Sequence, residues 1–484
     1  MRDLWGIRPS RRSNHDPRPG PRAAEASRYP TPLLTEDTMS TRSRITALIA
    51  VSAAGALAAC GAPGTAAKTT ASANLTSSAA TKSGTLTIVT KFADPKYAPY
   101  FEKVAADYES ANSGVKVDLQ QVGDQPYKDK IRVLSASKQL PDIYFSWAGD
   151  FANKFVRAGL AADLTSVMGP DTEWGKSFSP AALKAFEYDG KSYGVPINLD
   201  AKYMAYNTAI FSKVGVAKPA NLEDLIAACG KLKSAGYTPI AFGNQYGWPA
   251  IHYITQLNAM DVPQATRDAD YNPATGAFTD AGYAAALDQF KQISEACFDS
   301  GSNGLSHETA QANFLAGKAA MHFLESVEFS VLTAKGGAPA ELADNWDFFR
   351  LPPTASAAGD KGALTGAPDG FMVNSGSKNA ALAVDFLKFM TSKANGAEMT
   401  KSIGWLSSVQ GTATAENSFP QLEAALKDIS SANSFAIWLD TVTNADVANA
   451  YLSGGQGILD GSQSPADVMK SVQDAAAKAK KSVS

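Results

Sequence analysis

Trp147-Ala148-Gly149-Asp150 sets an indole and a carboxylate within four residues, just past the short apolar run Ile143-Tyr144-Phe145. An indole supplies a flat apolar plane and a carboxylate supplies charged acceptors, a combination suited to a polyhydroxylated ring with one C–H face. Asn244-Gln245-Tyr246-Gly247-Trp248 repeats it, with Gln245 as a hydroxyl partner and Trp248 as a platform. Phe92, Trp405 and Trp438 complete the aromatic set. Each has a structural alternative: Trp147 packed under its loop with Asp150 solvated, Trp248 as loop packing, Trp438 in a core. Micromolar affinity requires about −8 kcal/mol. One aromatic contact adds roughly 0.5–1.5 kcal/mol beyond area burial and one charged hydrogen bond about 1.5–3 kcal/mol. After association costs, one platform and one carboxylate fall short, so two parts of the chain must share the ligand.

Other chemistries find little support. GxSxG and HExxH do not occur, and Gly455-Gln456-Gly457 misses GxGxxG because Asp460 holds the last position. His15, His252, His307 and His322 show no metal-ligand spacing, and there is no CxxC, so neither a metal nor another cofactor is expected.

The elements that would position these residues read as α/β. Thr85-Leu86-Thr87-Ile88-Val89 predicts a strand, followed by a helix with Phe101, Val104, Ala105 and Tyr108 on one face. A second strand at Val115 to Leu119, a helix at Tyr127 to Ala136 and the strand Ile143-Tyr144-Phe145 follow, a spacing that predicts a parallel sheet with crossover helices. The extended stretch from Tyr193 to Tyr206 contains Pro196 and reads as a connection between domains. Beyond it, Asn221 caps a helix with acids in its first turn and lysines in its last, and Thr238 to Phe242 predicts another strand. Ser464-Pro465 opens a final helix.

The apolar run Ile45 to Ala59 follows Met39, Arg42 and Arg44 and ends in Leu57-Ala58-Ala59-Cys60. It is shorter than the ~20 residues of a spanning helix and reads as a secretory signal. The final quartet resembles the bacterial lipobox, which implies lipidation of Cys60 and residence on the outer face of the membrane. Residues 1–38 carry seven arginines and no apolar periodicity, so translation is expected to start at Met39. Nine arginines and five acidic residues precede Cys60, so the chain from there on has 35 basic and 42 acidic residues and no bias toward nucleic acid. Residues 60–83, rich in Ala, Ser, Thr and Gly, read as a flexible tether. Cys229 and Cys297 both lie on apolar helical stripes and either bridge or fill space.

Four stretches in order carry a resemblance: Pro141-Asp142-Ile143-Tyr144-Phe145-Ser146-Trp147, Gly194-Val195-Pro196 leading to Tyr206-Asn207, Phe314-Leu315-Ala316-Gly317-Lys318-Ala319-Ala320-Met321, and Gly366-Ala367-Pro368-Asp369-Gly370-Phe371. With them the chain resembles the extracellular solute-binding proteins of ABC transporters, in the branch that includes the maltose-binding proteins. The resemblance implies a two-lobed periplasmic-binding-protein-like fold, two doubly wound α/β domains joined by hinge strands. One lobe would hold 84–197 and 369–412, the other 198–368 and 413–484. It further implies a sugar or oligosaccharide ligand gripped by Trp147 and Asp150, with Glu325 as an acceptor and Asp369 and Phe371 at the second crossing. A monomer would then hand the ligand to membrane permease subunits. A Trp common near Glu325 in maltose-type relatives is missing here. The alternative is a secreted carbohydrate-active hydrolase, whose paired carboxyl groups a sequence does not exclude. Receptors for polyamine, peptide or metal would call for clustered acids, pairing edges or clustered ligands, which the aromatic set disfavours.

Overall fold

The computed structural model describes Leu75 and residues 82–355, 357–432 and 435–483. The expected leader, signal segment, Cys60 and nearly all of the tether lie outside them. Two sheets organise the described residues into a two-lobed α/β fold.

In the first sheet, Gly84–Thr90 pairs in parallel with Val115–Gln121 on one side and Ile143–Trp147 on the other. The connecting helix Ala98–Ala111 buries Tyr100, Phe101, Val104, Ala105 and Tyr108, the i, i+3, i+4 spacing of a single face. The sheet is not wholly parallel. Asp369–Val373 lies antiparallel against Ile143–Trp147, and Gly194–Pro196 antiparallel against Asp369–Val373. A strand that arrives from the other lobe enters from the opposite end, so it runs against the strands already there. This register sets Asp369 opposite Trp147 and Phe371 opposite Phe145.

In the second sheet the order is Trp346–Phe349, Lys202–Asn207, Ala319–Glu325 and Thr238–Ala241. Ala319–Glu325 runs antiparallel to Lys202–Asn207, which sets Glu325 opposite Lys202, and parallel to Thr238–Ala241. The stretch around Pro196 does connect the two sheets: Gly194–Pro196 belongs to the first, Lys202–Asn207 to the second, and Asn198–Leu199 between them pairs with Leu406–Ser407. At the other crossing, the Asp369 N–H donates to Asn198 Oδ1 at 2.7 Å, tying two connections together.

Helix Trp248–Asp261 runs through the second lobe, and every residue from Pro249 to Asp261 is buried, His252 among them. Helix Leu222–Ser234 follows its capping signals: Asn221 Oδ1 accepts from the Asp224 N–H at 2.7 Å, with Lys231 and Lys233 at the far end. Cys229 on this helix is bonded to Cys297 at the end of Ala281–Cys297. Both cysteines are buried, so the open alternative resolves to a bridge. The bridge closes a 68-residue separation, and a loop of that size confers roughly 4 kcal/mol in the chain-entropy picture. Cys229→Ala/Cys297→Ala is therefore expected to unfold at clearly lower guanidinium concentration than the native chain. An unchanged midpoint would remove the bridge from the stability argument.

Candidate functional site

The carboxyl ends of the parallel strands in each sheet, where open α/β sheets bind ligands, carry charged and aromatic side chains that sequence spacing alone does not connect. In the first lobe, Lys91 directly follows Gly84–Thr90. Its Nζ lies 3.5 Å from Asp124 Oδ1 and 3.5 Å from Asp369 Oδ2. The same ammonium stands 5.0 Å from the Phe145 ring centre and 4.9 Å from that of Trp147, and Lys128 Nζ is 5.1 Å from Trp147. Cations over indoles are favourable, more so where water is excluded.

The second lobe presents a matching set. Lys202 Nζ and His252 Nδ1 lie 3.5 Å and 3.4 Å from Glu325 Oε1. Lys202 is 1% exposed and His252 5%, yet neither of these nitrogens has a hydrogen-bond partner among the described residues. The His252 ring stacks on Trp438 with centroids 4.1 Å apart, and Trp248 sits 4.9 Å from it on the preceding turn. Lys202 Nζ is 5.1 Å from the Trp248 ring centre. Asp440 Oδ1, next to the Trp438 wall, is likewise buried without a partner. Asp200 differs, since it accepts from Ser326 Oγ at 2.8 Å and the Val327 N–H at 3.3 Å.

The two halves feel each other electrostatically. Burial pulls the Lys91 ammonium down, but Asp369 and Asp124 beside it, with Glu325 and Asp200 of the second lobe, hold it above its ordinary value. Burial pushes the Asp369 carboxyl up to about 6, Lys91 resisting while Glu325 and Asp124 add to the rise. Burial, then Glu325, raises Asp200, and burial raises Asp440. His252 is driven well below its usual range by burial and then by Lys202, so its ring is neutral at pH 7. The ammonium–carboxylate separations of 3.5 Å and the 3.4 Å from His252 to Glu325 exceed the usual 2.7–3.2 Å of an N–H···O bond, which leaves donors and acceptors unspent.

Of the residues singled out from sequence, the structure brings Trp147 and Asp369 together in one set and Trp248, Glu325 and Trp438 in the other. Four lie apart. Asp150 Oδ1 accepts from Arg157 Nη1 at 2.6 Å on its own helix, so its carboxylate is locally engaged rather than paired with Trp147. Gln245 is exposed on its loop, its backbone holding Leu305 and Gln456. Phe371 faces Phe145 inside the first core. Phe92 stacks on Phe101 at 4.5 Å and meets Trp405 edge-on at 5.2 Å, which places both Phe92 and Trp405 in that same core. Lys91, Asp124, Lys128, Lys202 and His252 escaped the sequence reading. Lys202 and His252 left a signal: each is a basic side chain set among large apolar and aromatic residues, and each proves buried. The histidines do meet in space, His307 lying 4.8 Å from His322, but no group of described residues is arranged to hold a metal.

Residues 94–397 match the family model of the bacterial extracellular solute-binding proteins. The chain belongs to this family. Among its relatives, a putative binding protein of Brucella abortus is 33% identical over 154 residues, 31% of this chain and 36% of that protein. The melibiose/raffinose/stachyose-binding protein MelE of Bacillus subtilis is 29% identical over 184 residues, 35% of this chain and 41% of that one. The chain thus spans only about two-fifths or less of these curated relatives. A solved structure from work on xylan utilization by Caldanaerobius polysaccharolyticus superposes with a TM-score of 0.73 at 24% identity, covering 81% of this chain and 99% of that one, which shows the shared fold. Solute-binding proteins of this family work outside the cytoplasm, and they capture their ligand rather than transform it; the relatives give the hydrolase alternative no support.

Asp369 makes the electrostatics testable. Because its folded carboxyl titrates near 6 instead of 3.8, the native state binds the extra proton between those values. Stability attributable to Asp369 is therefore full below the lower value and is lost as pH rises through the upper one. The stability of the native chain relative to Asp369→Asn should fall from about pH 4 to about pH 6 and level off above, in paired denaturant titrations. A pH-independent difference would contradict the burial of this carboxyl.

Proposed function

We propose that this solute-binding protein is the lipid-anchored receptor of an ABC importer and takes a sugar or oligosaccharide between its lobes. The observation that carries the reading is the pair of ammonium–carboxylate sets, one at the strand ends of each sheet, held too far apart to satisfy themselves and flanked by indoles. A hydroxyl placed between Lys202 and Glu325 accepts from the first and donates to the second, and Lys91 with Asp369 offers the same. Neighbouring hydroxyls of one sugar ring suit this alternation, while Trp147, Trp248 and Trp438 meet its C–H faces. Charged hydrogen bonds of about 1.5–3 kcal/mol from each lobe supply what one lobe lacked. The naming of one relative for melibiose, raffinose and stachyose supports a saccharide.

In this reading the lobes are 84–197 with 369–412 and 198–368 with 413–484, and they rotate about the strands near Pro196 and Pro368. Cys60 carries the lipid, the protein acts as a monomer, and the permease receives the ligand from the closed form. A thermal-shift screen of the mature chain against melibiose, raffinose, stachyose and xylo-oligosaccharides tests it. A bound saccharide raises the melting temperature and is recovered intact. Trp147→Ala and Lys202→Met are each expected to weaken that binding at least about tenfold, the loss of one stacked ring or one charged hydrogen bond. A chain that none of these sugars stabilises would argue against the assignment.

Closure has its own signature. At Gly149, with φ +84°, a Cβ would lie 2.9 Å from Val442 Cα and 3.0 Å from the Thr441 carbonyl, so the first lobe meets the second there with no room for a side chain. Gly159 has a similar φ of +68° but open space around it. Gly149→Ala should hold the lobes apart, enlarging the radius of gyration in X-ray scattering with saccharide present and weakening affinity. Gly159→Ala also puts a side chain at positive φ and should do neither. Equal behaviour of the two variants would rule out the wedge.

A further inference from the structure

Beside the second lobe's half of the site lies a buried, hydrogen-bonded His307–Glu328 pair. His307 Nε2 is 2.7 Å from Glu328 Oε1, which also accepts from Gln311 Nε2 at 2.8 Å. The other oxygen, Glu328 Oε2, accepts from the Glu325 N–H at 2.8 Å. Glu328 therefore holds the backbone of the residue whose side chain faces Lys202 and His252. Glu325 returns the interaction as the cap of the turn Ser326–Leu332, in a reciprocal capping box. His307, the first residue of helix His307–Leu315, places its ring 4.8 Å from Trp248. Trp248 thus stands between His252 and His307. One pair touches both an acceptor and a platform of the site.

We propose that His307 and Glu328 are positioning residues that set the ligand-reading geometry of the second lobe by fixing Glu325 and Trp248 together. The inference rests on the cleft being the binding site. A buried carboxylate is costly to leave unpaired, and Glu328 is held ionised: burial opposes this, but His307 beside it draws its carboxyl far below the ordinary range. Three donors converge on its two oxygens. Such a group has one low-energy placement, and it transmits that placement to its neighbours. His322 closes the row: its Nδ1 lies 2.9 Å from the Ala241 carbonyl, at the end of the neighbouring strand, and its ring flanks His307.

Glu328→Leu removes all three bonds, whereas Glu328→Gln keeps an oxygen for the Glu325 N–H and loses the charge that His307 faces. The mature chain, ¹⁵N-labelled at its tryptophan indoles, gives a readout that needs no ligand. In Glu328→Gln and His307→Gln the Trp248 indole resonance should shift or broaden, while that of Trp174, packed against the first core and bonded to Thr391, stays in place. With raffinose as the probe, dissociation constants should rise about tenfold in Glu328→Leu and only about threefold in Glu328→Gln, the partial rescue expected of a retained acceptor. A variant with a lower melting temperature but an unmoved Trp248 signal would overturn the proposal, since the pair would then be structural only. If the native chain binds neither raffinose nor any other saccharide, the sugar reading fails while the indole spectra still decide the positioning role.

Discussion

Two strand registers determine almost everything at this site. Asp369 stands opposite Trp147 because a strand returning from the second lobe pairs antiparallel with Ile143–Trp147, and Lys202 stands opposite Glu325 because Lys202–Asn207 does the same against Ala319–Glu325. A slip of one residue in either pairing would send these side chains to the other face of the sheet. The hydrophobic residues that follow them along the strands hold the pairing in place: Phe371, Met372 and Val373 in the first lobe, Tyr203, Met204 and Ala205 in the second, all buried. Thus the cores below the site specify the chemistry above it. The hydrogen bond from Asp369 to Asn198 adds a fastening where two crossings meet.

The same arrangement explains why the charges are tolerated. Burying an ammonium such as Lys202 costs several kcal/mol unless it is paired and hydrogen-bonded. Glu325 supplies the pairing but not the hydrogen bond, since the separation is 3.5 Å. The remaining penalty is relieved by whatever brings oxygen atoms between them. Site and fold pull in opposite directions here: a tighter Lys202–Glu325 contact would stabilise the empty protein and weaken its hold on a hydroxylated guest. The raised Asp369 and Asp200 carboxyls express the same tension in protonation.

The alternation of strands and helices in the first lobe was legible because amphipathic spacing is local: Phe101, Val104, Ala105 and Tyr108 needed only their own helix to reveal their face. Trp147, Trp248 and Trp438 were legible as large rings near turns. Asp150 misled because its neighbour in sequence is Trp147, whereas its partner in space is Arg157, seven residues or about two turns further along the helix. Phe92 and Trp405 misled in the same way, their rings answering to Phe101 rather than to an opening. Lys91 and Lys202 stayed hidden because their meaning lies in which strand sits beside them, and pairing between residues more than a hundred positions apart leaves no periodic trace in the chain.

Helix Trp248–Asp261 carries two groups of the candidate site, Trp248 and His252, on a single rod buried along nearly its whole length, with its far end fixed where Gln289 Nε2 donates to Asp261 at 2.7 Å. Rods of this kind do not flex to suit different occupants. Descendants of this sequence that acquire new tastes would therefore do so by exchanging side chains on an unmoving frame.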